Sequence, residues 1–143
     1  MTDFDLDRFL AAQDGGGTYA QALAELRAGR KRSHWMWFVF PQIEGLGRSP
    51  TARAYAIFSL AEARAYLAHP VLGVRLRECA DALLGLGGGD PVAVMGPIDA
   101  LKLRSSMTLF ARADPAEERF PSVLRKFYAG EEDEATLSRL GGG

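Results

Sequence analysis

The sequence predicts an all-α fold, a single compact domain over residues 1–143 with about seven or eight short helices. Capping residues, prolines and glycines divide most of the chain into segments whose apolar residues recur every three or four positions. Strand signals are scarce, because the chain has no Asn-Gly pair and only residues 35–40 form an aromatic and β-branched run. A length of 143 residues matches one domain.

The amino-terminal segment predicts two helices separated by glycines. Apolar side chains within residues 4–10 suit the first helix, which a glycine loop at residues 15–17 closes. Thr18 and Gln21 form a capping box for the second helix, whose apolar face ends at Gly29.

The middle of the chain predicts two consecutive helices. Ser59 and Glu62 form a second capping box, and that helix ends at His69 because Pro70 disfavours helical geometry in the preceding residue. We therefore interpret His69 as structural. Pro70 then opens the next helix. Its apolar stripe comprises Leu72, Leu76, Cys79, Ala80 and Leu83.

Prolines open two further helices. Asp90 caps a short helix beginning at Pro91, where the missing proline N–H costs nothing. The Gly-Pro pair at residues 96–97 separates this short helix from a long predicted helix over residues 98–112.

The carboxyl-terminal residues predict the last two helices. The Asp-Pro pair at residues 114–115 opens a helix that ends at Gly130. An acidic run at residues 131–134 begins a final short helix, since carboxylates favour the positive end of the helix dipole. Residues 141–143 are expected to form a frayed tail.

Composition argues against several classes of protein. Seventeen basic and eighteen acidic residues give a net charge of −1, which offers no field for a polyanion, so nucleic-acid binding is not predicted. The acidic amino terminus and the lack of a long apolar run predict a cytoplasmic protein without membrane association. Cys79 is the only cysteine, so an internal disulfide is impossible. Two histidines 35 positions apart predict no metal site, and no cofactor is predicted; the oligomeric state is left open.

An aromatic segment at residues 31–48 contains both tryptophans of the chain. Trp35, Phe38 and Phe40 are expected to be mostly buried, since such a run at the surface would promote aggregation. Polar residues accompany them, and each is costly to bury without a partner. The basic cluster at residues 30–32 suits either a phosphate contact or a solvated helix end.

Residues 31–48, the Tyr-Ala-Ile tripeptide at residues 55–57 and the stretch at residues 102–110 together resemble the DUF1810 family of bacterial and fungal proteins, some of them labelled calpastatin. The similarity extends from Phe4 to Tyr128. The resemblance implies an all-helical single-domain fold, and it implies no reaction.

The uncommon polar residues of these two segments are the candidate site. His34 is the candidate catalytic group, since a histidine can act as a general base near neutral pH. Lysine and arginine can hold a phosphate or carboxylate, and Lys102 lies one helical turn before Ser105. The predicted ligand-binding residues are Trp37, Gln42, Arg48, Lys102, Arg104 and Ser105.

Two interpretations of these residues stay open. The first is a pocket near the segment from His34 through Trp37 to Gln42 for a small anionic ligand, phosphorylated or nucleotide-like, with or without catalysis. The second is a non-catalytic protein-interaction module. A hydrolase is disfavoured, because the Lys-then-Ser order reverses the Ser-x-x-Lys motif and no Gly-x-Ser-x-Gly elbow exists. Close helix packing would also explain Ser105 and Ser106, and a hydrogen bond to a backbone carbonyl would explain His34.

The ligand interpretation makes a spatial prediction. His34 or Gln42 should lie within one side-chain length of Lys102, Arg104 or Ser105 across a cleft. Polar groups beside a large aromatic cluster need partners, and the long helix is the other place where uncommon polar residues share a face.

Overall fold

A computed structural model describes residues 4–140, which form an all-α fold and confirm the predicted fold class. The predicted tail at residues 141–143 lies outside the described residues. β-structure within residues 4–140 is limited to one isolated parallel bridge between Ile43 and Ile57. The helices are α1 (Asp7–Asp14), α2 (Thr18–Arg27), α3 (Met36–Val39), α4 (Pro50–Ala54), α5 (Leu60–Ala68), α6 (Leu72–Leu84), α7 (Pro91–Met95), α8 (Pro97–Ala113), α9 (Arg119–Tyr128) and α10 (Glu134–Arg139).

Several predicted helix ends are confirmed by their hydrogen bonds. The Ser59 hydroxyl accepts from the backbone N–H of Glu62 at 3.0 Å and caps α5. The Asp90 carboxylate accepts from the N–H of Val92 at 3.0 Å and caps α7. Prolines occupy the first turns of α7 and α8, as expected from their fixed φ angle.

The capping box predicted at Thr18 is wrong. Residues Gly15–Gly17 form a 3₁₀ turn that runs directly into α2, so Gly17 takes the N-cap position. Its φ of 71° lies in the left-handed region that favours glycine. The Thr18 hydroxyl instead donates to the Gly15 carbonyl at 2.6 Å.

Two helices begin later than predicted. α6 begins at Leu72 rather than Pro70, because His69 Nδ1 accepts from the N–H groups of Val71 and Leu72 at 3.1 Å each. This contact gives His69 the structural role that the sequence indicated. α9 begins at Arg119, after a turn.

The core surrounds α8, which packs against α5, α7, α9 and α10. Trp35 and Phe40 are fully buried, as predicted. Phe38 is only half-buried and meets the Tyr55 ring edge-on, with the centroids 5.3 Å apart. The aromatic segment forms the single turn α3. The sequence predicted neither α3 nor α4 as a helix.

The Glu25 carboxylate fixes the turn that leads into the aromatic segment. It accepts hydrogen bonds from the backbone N–H groups of Arg32 (2.8 Å) and Ser33 (3.1 Å). It also accepts from the Ser33 hydroxyl (2.6 Å) and from the indole N–H of Trp35 (2.8 Å). Burial alone would raise the pKa of Glu25, but these donors outweigh it and lower the pKa to about 2.

Lys31 shows that the basic cluster is not simply a solvated helix end. Its ammonium pairs with Asp99 at 2.8 Å and its side chain is 8% exposed. Its backbone N–H donates to the Val94 carbonyl at 2.7 Å. Lys31 therefore attaches the turn after α2 to α7 and α8.

Within residues 4–140, no helix combines the length and the apolar character that crossing a membrane requires.

Replacing Phe40 with alanine should lower the free energy of unfolding by about 3–5 kcal/mol, because a fully buried aromatic leaves a cavity. Urea denaturation measures the change. Phe58→Ala is the matched control: Phe58 is 65% exposed, so its removal should cost less than about 0.5 kcal/mol. A loss below about 1 kcal/mol for Phe40→Ala would show that the aromatic segment is not core.

Glu25→Gln should destabilise the protein at neutral pH by at least about 1.5 kcal/mol, the value of one hydrogen bond to a charged group. The folded-state pKa of Glu25 is lowered from 4.5 to about 2, so the stabilisation is present above pH 4.5 and is lost as the pH falls toward 2. Urea denaturation of both proteins between pH 7 and pH 2 should show the difference shrinking over that interval. A difference independent of pH would contradict the account.

Candidate functional site

A groove of about 820 Å³ lies between the segment 42–58 and the first half of α8, with Trp37 contributing to its lining. Its volume lies within the range of about 300–1,000 Å³ found for small-molecule sites. We call it the groove below. Its polar and aromatic lining includes Trp37, Gln42, Arg48, Arg53, Lys102 and Ser105.

One wall of the groove is held by the parallel bridge. The N–H of Ile57 donates to the Gln42 carbonyl at 2.8 Å, and the N–H of Glu44 donates to the Ile57 carbonyl at 2.8 Å. Ser49 caps α4, which carries Arg53. The backbone from Gln42 to Glu44 is therefore fixed, as is the start of the short helix farther along the wall.

The other wall is one face of α8. Ile98, Leu101 and Ser105 recur at three- and four-residue spacing and line the groove together with Lys102. A different stripe of the same helix enters the core. Its buried members include Ala100, Leu103, Met107 and Phe110.

Lys102 and Trp37 meet at the groove. The Lys102 ammonium lies 4.8 Å from the centroid of the Trp37 ring, within cation–π range. It is 3.7 Å from one oxygen of Asp99, whereas Lys31 holds the other oxygen at 2.8 Å. Asp99 is therefore paired more closely with Lys31, and much of the Lys102 charge is uncompensated.

Ser105 is tied into a network that attaches α10 to α8. Its hydroxyl donates to the Asp133 carboxylate at 3.0 Å, and the Thr136 hydroxyl donates to the same oxygen at 2.6 Å. The N–H of Asp133 donates to the Thr108 hydroxyl at 2.9 Å. Ser105 is buried and has no basic partner among these groups, so the network is structural rather than nucleophilic.

Five polar groups of the groove have no hydrogen bond or ion pair within residues 4–140. They are the indole N–H of Trp37, the side-chain amide of Gln42, the hydroxyl of Tyr55 and the guanidinium groups of Arg48 and Arg53. Gln42 and Trp37 are half-buried, whereas both arginines are exposed. Buried polar groups normally find partners, so half-buried groups without one are available to a ligand.

Basic side chains outnumber acidic ones in the lining of the groove. Asp133 accepts from Ser105 and Thr136, whereas Glu44 is only loosely paired, 4.0 Å from Arg139 on α10. Against these two carboxylates the lining has three cations, Arg48, Arg53 and Lys102, so the groove has an excess of positive charge.

The structure brings most of the predicted site residues together. Gln42 and Arg48 line the groove opposite Lys102 and Ser105, with Trp37 beside Lys102. Gln42 thus shares one groove with Lys102 and Ser105, and the predicted separation of one side-chain length stays a prediction.

Two predicted residues do not line the groove. His34 is exposed, next to the turn that Glu25 holds, and its predicted catalytic role stays a prediction. Arg104 is two residues from Lys102, about 200° around the helix, and also does not line the groove. It donates to the Glu132 carbonyl at 3.2 Å, and its buried Nε has no partner within residues 4–140.

Sequence reasoning missed Arg53 and three apolar residues of the groove. Phe58, Ile98 and Leu101 are 65%, 68% and 65% exposed. Ile98 and Leu101 carried a signal, since they form an apolar pair at three-residue spacing outside the core stripe of α8. Arg53 and Phe58 carried none, because a short turn and a bridge bring them to the groove.

Within the described residues, no group of three or more His, Cys, Asp or Glu side chains is arranged to hold a metal ion.

Comparisons with known proteins agree with the fold. A family model described as "Protein of unknown function (DUF1810)" matches residues 3–140. The crystal structure of the conserved hypothetical protein Rv1873 from Mycobacterium tuberculosis, at 1.38 Å, has a TM-score of 0.92 and 53% sequence identity to this chain. The similarity covers 96% of each chain. No curated protein matches the chain.

Proposed function

We propose that this chain, which belongs to the DUF1810 family, binds a small anionic organic ligand, phosphorylated or nucleotide-like, in the groove. The observation that carries the proposal is the set of unpaired polar groups there: two guanidinium groups and an amide without a protein partner, next to an aromatic ring.

The charge of the groove favours an anion. Arg48 and Arg53 lie on the same wall, and Lys102 faces the groove from α8. A guanidinium group presents paired donors that match phosphate or carboxylate oxygens, and charged hydrogen bonds of this kind are roughly twice as strong as neutral ones. These three cations outnumber the two carboxylates of the lining, and one carboxylate, Asp133, already accepts from Ser105 and Thr136, so the groove attracts an anion.

The size of the groove favours an organic anion over a bare phosphate. A volume of about 820 Å³ suits a ligand of drug-like size, which such sites bury mainly against apolar surface. Trp37 provides a flat surface, and Ile98 and Leu101 add apolar contacts on the α8 wall. The ligand therefore combines an anionic group with a flat or apolar body.

The groove supports binding more directly than catalysis. Both of its serines are engaged, Ser105 with Asp133 and Ser49 as the N-cap of α4, and its lining includes no histidine. The predicted catalytic role of His34 has no support from its exposed position. The proposal is accordingly a binding site.

One observation favours the second interpretation, a protein-interaction module. Phe58, Ile98 and Leu101 are exposed apolar side chains that line the same groove. Exposed apolar clusters next to charged residues are typical of peptide-binding surfaces. Such a partner would be an acidic segment with apolar residues, because basic side chains outnumber acidic ones in the lining of the groove.

The test compares two double variants in a thermal-shift screen against nucleotides, sugar phosphates and organic acids, followed by calorimetry on the compounds that stabilise the protein. We expect a phosphorylated compound to raise the melting temperature. Arg48→Gln with Arg53→Gln should weaken its binding about tenfold, or ~1.4 kcal/mol.

Arg27→Gln with Arg30→Gln is the matched control. Both arginines are exposed and outside the groove, and their side chains have no partner within residues 4–140. This variant should bind as the parent protein does. Equal loss in both variants would indicate a general charge effect, and no stabilisation by any compound would contradict the proposal and favour the peptide alternative.

A further inference from the structure

We propose that the ligand of the groove is an adenine nucleotide, whose base pairs with the side-chain amide of Gln42 and stacks on Trp37 while its phosphate reaches the arginines. This inference rests on the proposed function and names the substrate class for the same site. It is carried by Gln42, the one group in the set of unpaired polar side chains that an anion cannot satisfy.

Gln42 is held in position without using its side chain. Its carbonyl accepts from the N–H of Ile57, and the neighbouring Glu44 N–H donates to the Ile57 carbonyl, both at 2.8 Å. Pro41 and Ile43 on either side are buried, whereas Gln42 is half-buried and lines the groove. A rigid backbone thus presents an amide that makes no hydrogen bond within residues 4–140. Preorganisation of this kind reduces the entropy lost on binding.

The side-chain amide of glutamine has an acceptor oxygen next to an NH₂ donor, so both are satisfied by a ligand with a donor next to an acceptor. A phosphate would use only the NH₂ group and would leave the amide oxygen facing negative charge. Adenine offers its N6 amino donor beside the N7 acceptor, the edge that glutamine and asparagine bind through two hydrogen bonds. Guanine offers two acceptors, O6 and N7, at the corresponding edge, so it can satisfy the amide only by turning its N1–H and O6 edge to Gln42, which moves its phosphate relative to the arginines.

Trp37 supplies the stacking surface for that base. Its ring is half-buried and contributes to the same groove as Gln42. Base–aromatic stacking contributes about 1–3 kcal/mol.

Lys102 now lies over the Trp37 ring at 4.8 Å. Its contact with Asp99 is long, at 3.7 Å, and Asp99 is held more closely by Lys31. The ammonium can therefore move from the ring to the phosphate of the ligand, and the base takes its place.

The experiment measures the binding of AMP, GMP and ribose 5-phosphate by calorimetry to the full-length protein and to two variants. The parent protein should bind AMP about tenfold more tightly than GMP or ribose 5-phosphate. Gln42→Met keeps the size and charge of the side chain but removes its hydrogen bonds. In the Gln42→Met variant the preference for AMP over GMP should fall to about twofold or less.

Arg48→Gln provides the orthogonal comparison. It should weaken all three compounds by a similar factor and leave the AMP-to-GMP ratio unchanged, because Arg48 is assigned to the phosphate. The melting temperature of Gln42→Met should equal that of the parent protein, since the Gln42 side chain has no partner in the fold.

The outcomes separate the two proposals. Equal binding of AMP, GMP and ribose 5-phosphate, weakened by Arg48→Gln but not by Gln42→Met, would overturn the adenine assignment and leave the anion site in place. An AMP preference that survives Gln42→Met would also overturn the assignment of Gln42. Failure of AMP to bind, while another compound of the thermal-shift screen binds and is weakened by Arg48→Gln, would overturn the adenine assignment alone. Failure of every compound of that screen would overturn the proposed function as well.

Discussion

The Glu25 carboxylate is the contact on which the position of the groove depends. It collects the donors of the turn after α2, including the indole N–H of Trp35, and so commits Trp35 to the core. With Trp35 fixed, the single turn α3 brings Trp37, two residues later, to the groove. Lys31 in the same turn reaches Asp99 on α8 and leaves Lys102 loosely paired. The Glu25 carboxylate thus fixes the turn from which Trp35 enters the core and Lys31 reaches Asp99 beside the groove.

α8 serves the core and the groove with two different faces. Its buried stripe stabilises the fold through burial of apolar area, which amounts to roughly 25 cal/mol per Å². The other face carries the exposed apolar side chains of Ile98 and Leu101, together with Lys102. Exposed apolar surface is costly to keep in water, and a ligand with an apolar body would cover it while its anionic end meets the cations of the groove.

Local signals predicted most of the fold, whereas the site depended on contacts between distant segments. Caps such as Ser59 and Asp90 act within three residues, so the sequence alone revealed those helix starts. Gln42 and Lys102 were identified as uncommon polar residues, yet their shared groove is the result of packing. His34 lies outside the groove, and the effect of Glu25 on the neighbouring turn has no sequence signature. Arg53 was missed because a single capped turn, α4, brings it to the groove.

The central claim is that the groove holds an anionic ligand against Trp37, and the two tryptophans provide an internal test. The indole N–H of Trp35 donates to buried Glu25, whereas that of Trp37 has no partner within residues 4–140. In ¹H–¹⁵N NMR spectra during titration with AMP, the Trp37 indole and Gln42 side-chain amide signals should shift progressively to saturation while the Trp35 indole signal stays in place. Unchanged Trp37 and Gln42 signals, or shifts confined to residues 27–34, would contradict the account.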